Sequence, residues 1–253
     1  MALRSLRRRA NKLLQLVPQA AYRRGLKLGV AAAVEHDGAM RSVSFNTLID
    51  VGANIGQFSL LARTLHPAAI IHAFEPLRAM ADTYERLFAG DAKTTLHRCA
   101  AGTSAMTTEI NVSNHPDSSS LLPISDRQSE LFPGTQRASV EQVRVARIDD
   151  ELPVDALTGP IMIKLDVQGF ELEALKGMPH LLARAGWVYV EVSFMTLYEG
   201  QPLADEICAW LAENGFKMAG VYNPTYSEEG VNIQADLLFA RTDSARSGVE
   251  ASG

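Results

Sequence analysis

Thr47-Leu48-Ile49-Asp50-Val51-Gly52-Ala53-Asn54-Ile55-Gly56-Gln57-Phe58-Ser59 decides the fold of this chain of 253 residues. The apolar and β-branched run to Val51 reads as a buried strand. Gly52 permits a tight turn, and Gly56 opens a helix predicted over Gln57–Leu65 with no Cβ in the way. Such a turn brings a ligand close against backbone N–H groups at a helix N-terminus. It suits NAD, FAD or a nucleoside cofactor alike. The spacing is GxxxG, without GxGxxG and without a following Gly-Lys-Ser/Thr, which weakens the dinucleotide and P-loop readings.

Outward from this turn, further buried strands are predicted over Ile70–Phe74, Thr94–Cys99, Ile161–Leu165 and Trp187–Val192. Helices are predicted over Leu77–Phe88, Glu171–Leu175, Pro179–Ala185 and Leu203–Glu213, the last stopped by Asn214-Gly215. Two final strands, Phe216–Tyr222 and Ala235–Ala240, close the pattern. Strand and helix in alternation specify a doubly wound α/β sheet. Between Gly102 and Pro160 the rhythm breaks. Thr107–Val112 and Val140–Ile148 alternate like a half-exposed hairpin, and Asn114–Ser120 reads as a loop or lid. The expected organisation is a basic, helical segment over residues 1–34, one domain over 35–241 and a flexible tail over 242–253.

Composition narrows the class. Hydrophobic residues make up 47% and charged residues 21%, a globular mixture without disorder or low complexity. No apolar run approaches the ~20 residues that cross a bilayer. Two cysteines, Cys99 and Cys208, form no CxxC pattern, so a structural zinc site is not expected and a reducing, cytoplasmic setting is. The net charge of −5 hides an asymmetry: eight basic residues, Arg4 to Lys27, precede the first acid, Glu35, and sixteen face 29 acids elsewhere. An acidic body argues against a nucleic-acid partner. The basic start suits either a solvated capping helix or peripheral contact with an anionic inner membrane face.

Two carboxylates stand where a ligand would lie. Glu75, in Ala73-Phe74-Glu75-Pro76, ends the second strand, where an acid accepts hydrogen bonds from ribose hydroxyls. Pro76 starts the next helix and fixes the turn. Asp166, in Ile163-Lys164-Leu165-Asp166-Val167-Gln168-Gly169, reaches the carboxyl end of another buried strand, beside the ligand crevice of an open sheet. Asp50 and these acids favour a cationic sulfonium ligand over a pyrophosphate. Lys164, buried in its strand, needs a partner, for which Glu191 is the candidate.

These blocks resemble the FkbM family of S-adenosylmethionine-dependent methyltransferases. The likeness rests on Leu48–Ser59, Phe74-Glu75-Pro76, Arg147-Ile148-Asp149-Asp150 and Ile163–Gly177. It implies a class I, Rossmann-like fold: a seven-stranded, mostly parallel sheet with helices on both faces and the last strand antiparallel, plus the β-hairpin and loop insertion. It implies S-adenosyl-L-methionine as donor and methyl transfer to an oxygen of a sugar, polyketide or other secondary metabolite. Carried over, Asp50, Gly52, Asn54 and Gly56 surround the methionine part of the donor, Glu75 with Pro76 holds the ribose, and Ala100-Ala101-Gly102 lies by the adenine. Where the family often has Glu, this chain has Gln168.

A hydroxyl is a poor nucleophile, so alignment and a general base are expected to serve the reaction. Asp166 is the first candidate, Glu191 the second, and His115 depends on the Asn114–Ser120 loop folding over the site. A divalent ion could use Asp166, but no companion ligands are evident and metal independence is favoured. His36, His66, His72, His97 and His180 read as surface or packing residues. Ser118–Ser120 lacks a nucleophile elbow. The expected acceptor is a glycan, glycolipid or other small molecule, lined by Tyr198, Tyr222, Asn223 and Tyr226. A catalytically silent nucleoside-binding protein and a dinucleotide-dependent oxidoreductase are the alternative readings.

Overall fold

The computed structural model describes residues 19–242. The central sheet contains β1 (Thr47–Val51), β2 (Ile70–Phe74), β3 (Thr94–His97), β7 (Ile161–Leu165), β8 (Ala185–Ser193), β9 (Phe216–Tyr226) and β10 (Asn232–Arg241). Its order is β3-β2-β1-β7-β8-β10-β9. The first five strands in that order pair in parallel. The last strand of the chain, β10, inserts antiparallel between β8 and β9. A smaller sheet of order β4-β6-β5 is built from β4 (Ala100–Ala101), β5 (Met106–Ser113) and β6 (Arg137–Ala146).

Alternation along the buried strands divides the core into two layers. From β1 and β7, Ile49, Val51, Ile161, Ile163 and Leu165 face one layer. That layer is covered by α7 (Glu171–Lys176), α8 (Pro179–Arg184) and α9 (Ala204–Glu213) through Leu175, Leu181, Ile207 and Leu211. Leu48 and Met162 face the other layer, covered by α1 (Ala20–Lys27), α2 (Asp37–Arg41) and α3 (Gln57–Leu65) through Tyr22, Met40, Phe58 and Leu61. The doubly wound, seven-stranded class read from the sequence is the observed fold, with its final strand antiparallel.

The differences lie at the margins. Parallel β3 ends at His97, two residues early, while β9 runs on to Tyr226 and β10 begins at Asn232. These two pair along their whole length with register shifts, so a hairpin holds residues whose polarity reads as loop. The insertion also carries a single helical turn, Pro116–Ser118, then α5 (Asp126–Leu131). Between β6 and β7 lies the short α6 (Ile148–Glu151), and α4 (Arg78–Leu87) follows β2. Of the basic segment, α1 falls within the described residues; residues 1–18 and the tail beyond 242 lie outside them. No helix among the described residues is long and apolar enough to cross a membrane.

The turn after β1 is held to glycine by contact as well as by dihedral angle. Gly52 has φ 76°, and a Cβ there would sit 1.9 Å from the Asp166 carbonyl oxygen. The two strand ends that frame the crevice therefore touch backbone to backbone at this point. Replacing Gly52 by Ala is expected to lower stability by about 3 kcal/mol or more, through left-handed strain plus forced separation of β1 from β7. Urea unfolding of the variant measures this; an unchanged midpoint would contradict the contact.

Candidate functional site

A cavity opens at the carboxyl ends of β1, β2 and β7, where open α/β sheets bind ligands. It encloses about 250 Å³, close to the lower end of small-molecule sites. Its floor is Gly52, Ala53 and Asn54 from the β1 turn; one end is formed by Glu75, Pro76, Leu77, Ala100 and Ala101, the other by His36, Lys164, Asp166 and Gln168. Pro116, Asp117, Ser119 and Ser120 of the insertion cover it. The loop read as a lid thus lies over the crevice. It is tied there: the Ser120 hydroxyl donates to the Gln168 carbonyl at 2.6 Å, and the Tyr198 hydroxyl donates to the Ser118 carbonyl at 3.2 Å.

Glu75 is 5% exposed. One oxygen accepts the Asn54 backbone N–H at 2.9 Å and the other the Leu77 N–H at 2.8 Å. A carboxylate has about four lone-pair positions, so both oxygens retain capacity toward the cavity. Burial pushes its pKa up to about 7, against the pull of those N–H groups and of Lys164. The arrangement can accept hydroxyl donors at Glu75, with Leu77, Ala100 and Ala101 lining the cavity beside it.

Asp50 does not line this cavity. It is fully buried, takes the Ser59 hydroxyl at 2.6 Å and pairs with the Lys164 ammonium at 3.2 Å. Tyr84 donates in turn to Ser59 at 2.9 Å. This corrects the pairing of Lys164 with Glu191: Asp50↔Lys164 are register partners on adjacent parallel strands, closer than any residue of β8 can bring Glu191. Lys164 also donates to the Gly52 carbonyl at 2.9 Å and lies 4.0 Å from Asp166. Burial works against the ammonium, but Asp50 and Asp166 outweigh it and hold its pKa above the ordinary lysine value. Gly56 also stands back from the cavity, packed against Phe88, Tyr84 and Leu87.

At the other end, Asp166 is 41% exposed through its side chain. The Gln168 amide donates to Asp166 at 2.7 Å and to Glu191 at 2.9 Å, and its oxygen accepts the Tyr198 hydroxyl at 2.6 Å. The desolvated setting raises the pKa of Asp166, against Lys164 and the Gln168 bond. Glu191 is not a lining residue. It takes Gln168 and, at 3.1 Å, the Gln234 amide; burial and the neighbouring Asp166, Asp236 and Glu171 raise its pKa well above the usual range. Its place is behind Asp166. His115 does not line the cavity either, its ring turned toward Gly134. Tyr226 is exposed on β9.

One lining residue contradicts the sequence reading. His36, read as a surface or packing residue, faces the cavity. Its partners Tyr189, Asn223 and Asp236 lie more than a hundred residues downstream, so no local spacing signals the group. Among the described residues no three His, Cys, Asp or Glu side chains form a metal-binding group.

A glycine turn into a helix, a buried acid at the next strand end and a covered crevice define a nucleoside-binding enzyme site of the Rossmann-like class. The Methyltransferase FkbM domain matches residues 50–218, and the chain belongs to this FkbM family of S-adenosylmethionine-dependent methyltransferases. It is similar to Methyltransferase sdnD of Sordaria araneosa, 30% identical over 192 residues, 67% of this chain and 73% of that one. It is 29% identical over 152 residues to hexuronic acid methyltransferase AglP of Haloferax volcanii, 58% of this chain and 56% of AglP. It is 25% identical over 206 residues to 31-O-demethyl-FK506 methyltransferase FkbM of Streptomyces tacrolimicus, 72% of this chain and 76% of that one. S-adenosylmethionine is the methyl donor, and the oxidoreductase alternative falls away.

Two expectations follow from the charges. If the donor's ribose hydroxyls donate to ionised Glu75, donor binding must drive off the proton that Glu75 carries below pH about 7. The dissociation constant of S-adenosylhomocysteine should then rise about tenfold per pH unit below that point and level off above it; calorimetry across pH measures the slope, which Glu75→Gln should flatten. Lys164→Met strands a buried carboxylate and is expected to cost about 3–5 kcal/mol. Denaturation should show the loss and its partial recovery in a Lys164→Met, Asp50→Leu double variant.

Proposed function

We propose that this methyltransferase transfers the methyl group to a hydroxyl of a sugar, in a glycolipid or other glycoconjugate, or of a secondary metabolite. The reaction is an in-line displacement with general-base assistance. The observation that carries this reading is the polarity of the cavity: a buried carboxylate at one end, suited to a ribose, and at the other an acidic cluster where the acceptor would enter. A hydroxyl nucleophile needs that assistance; an amine, already basic, needs it less. Two relatives support the choice of oxygen and of a sugar by the substrates in their names, 31-O-demethyl-FK506 and a hexuronic acid.

In this reading Gly52, Asn54 and the strand ends around them hold the methionine part of the donor, Glu75 and Pro76 the ribose, and Ala100-Ala101 the adenine. Asp166 is the catalytic carboxylate, opposing the positive sulfonium and facing the acceptor oxygen. Asp50 acts beneath them, by fixing Lys164. The eight basic residues ahead of Glu35 suit peripheral contact with the inner face of an anionic membrane, where a cytoplasmic enzyme meets lipid-linked glycans.

Methyl-labelled S-adenosylmethionine incubated with methyl glycosides of glucuronic and galacturonic acid tests the reaction. Label is expected in an alkali-stable ether; label only in an alkali-labile ester, or none, would overturn the sugar-hydroxyl reading. Asp166→Asn should lower turnover by about two orders of magnitude. Its affinity for S-adenosylhomocysteine, whose sulfur is neutral, should change little.

A further inference from the structure

His36 ends the single helical turn Val34–His36, just ahead of α2 and outside the matched family segment. Its side chain is 20% exposed and lines the cavity at the Asp166 end. Edge-on contacts with Phe58 at 5.4 Å and Tyr189 at 5.7 Å between ring centroids fix the plane of the ring. All of its polar protein contacts converge on one nitrogen. Nδ1 lies 2.9 Å from the Tyr189 hydroxyl and 3.3 Å from Asp236 Oδ2, whose side chain is 12% exposed. Asn223, in a left-handed backbone conformation of φ 47°, donates to that same carboxylate oxygen at 2.8 Å, and its amide nitrogen lies 3.1 Å from Nδ1.

The hydrogen-bond order follows from the carboxylate. Asp236 can only accept, and the Asn223 amide already donates to it. The Tyr189 oxygen and Asp236 are then both open to a proton on His36 Nδ1. With the proton there, the other nitrogen keeps its lone pair. Among the described residues Nε2 meets no protein partner, and it is not one of the buried polar atoms left unpaired. It therefore looks into the cavity.

We propose that His36 is the general base for the acceptor hydroxyl, with Asp236 as the positioning residue that holds its reactive tautomer. This deepens the hydroxyl-transfer reading and rests on it. The acceptor oxygen forms a bond to the methyl carbon while the sulfur–methyl bond breaks, its electron pair returning to sulfur. The hydroxyl proton passes to Nε2, and the imidazolium so formed is stabilised by Asp236 across the ring. Asp166 is less suited to take the proton: one of its oxygens is engaged by Gln168, and Lys164 stands beside it. Its charge serves the sulfonium instead.

The test has two arms on the full-length protein. Nitrogen-15 NMR in alkaline solution, where an imidazole is neutral, should show His36 protonated on Nδ1, and Asp236→Asn should shift the population toward protonation on Nε2. The second arm uses the labelled-methyl assay with the uronic acid glycosides. His36→Gln should lower kcat at least about a hundredfold, with S-adenosylhomocysteine affinity within about threefold of the parent, and Asp236→Asn should lower kcat about tenfold. Protonation of His36 on Nε2 in the parent protein, or turnover by His36→Gln within about threefold of the parent, would overturn the assignment. If the parent methylates neither glycoside, the sugar-hydroxyl reading fails, and the tautomer with its dependence on Asp236 still decides the His36–Asp236 pair.

Discussion

The site depends on a buried ion pair beneath it. Lys164 and Asp50, neighbours across β7 and β1, neutralise one another where Asp50 is sealed from water and Lys164 shows only a small face to the cavity. A lone charge there would be prohibitive, whereas the pair, with Ser59, Tyr84 and the Gly52 carbonyl satisfying further polar atoms, is tolerated. The pair also fixes position. Lys164 binds the carbonyl of the turn residue whose missing Cβ lets β1 touch the Asp166 backbone. The floor of the cavity is thus held by charge, by hydrogen bonds and by close approach at once.

Upon that floor the two ends differ in electrostatic character. At the Glu75 end a single lining acid sits in a nearly dry setting, and burial, with the charge of Asp50 beneath it, brings its titration to about 7. At the other end Asp166, Glu191 and Asp236 are held near one another by Gln168, Gln234, Asn223 and Tyr189. Neutral amides between carboxylates reduce the repulsion that a further acid would add. Gln168 fits this setting: its amide donates to two acids, which a carboxylate could not do.

The sheet was legible because its strands are buried on both faces, so their apolar runs stand out and their ends fall near glycine or proline. β1, β2 and β7 carry their expected limits, and with them come Gly52, Glu75 and Asp166. The apolar runs understate β9 and β10, because β9 is an exposed edge strand and the turn end of the hairpin carries polar residues such as Asn223, Asn232 and Gln234, although β10 is buried further along. Side-chain partnership was harder to read than position. Whether Lys164 meets Asp50 or Glu191 depends on register, which apolar patterning leaves open. His36 was passed over for a similar reason: it becomes notable only when β8, β9 and β10 deliver Tyr189, Asn223 and Asp236 to one of its nitrogens.

The loop over the crevice is fastened to the same tripeptide that carries Asp166. Ser120 grips the Gln168 backbone, and Tyr198 spans from Ser118 to the Gln168 amide that steers Asp166. Entrance and chemistry consequently share a latch: lifting the strap to admit or release a ligand slackens the very side chain that aims the acid. The reactive sulfonium then meets an aimed carboxylate only behind a shut door, which guards the methyl group against loss to stray water.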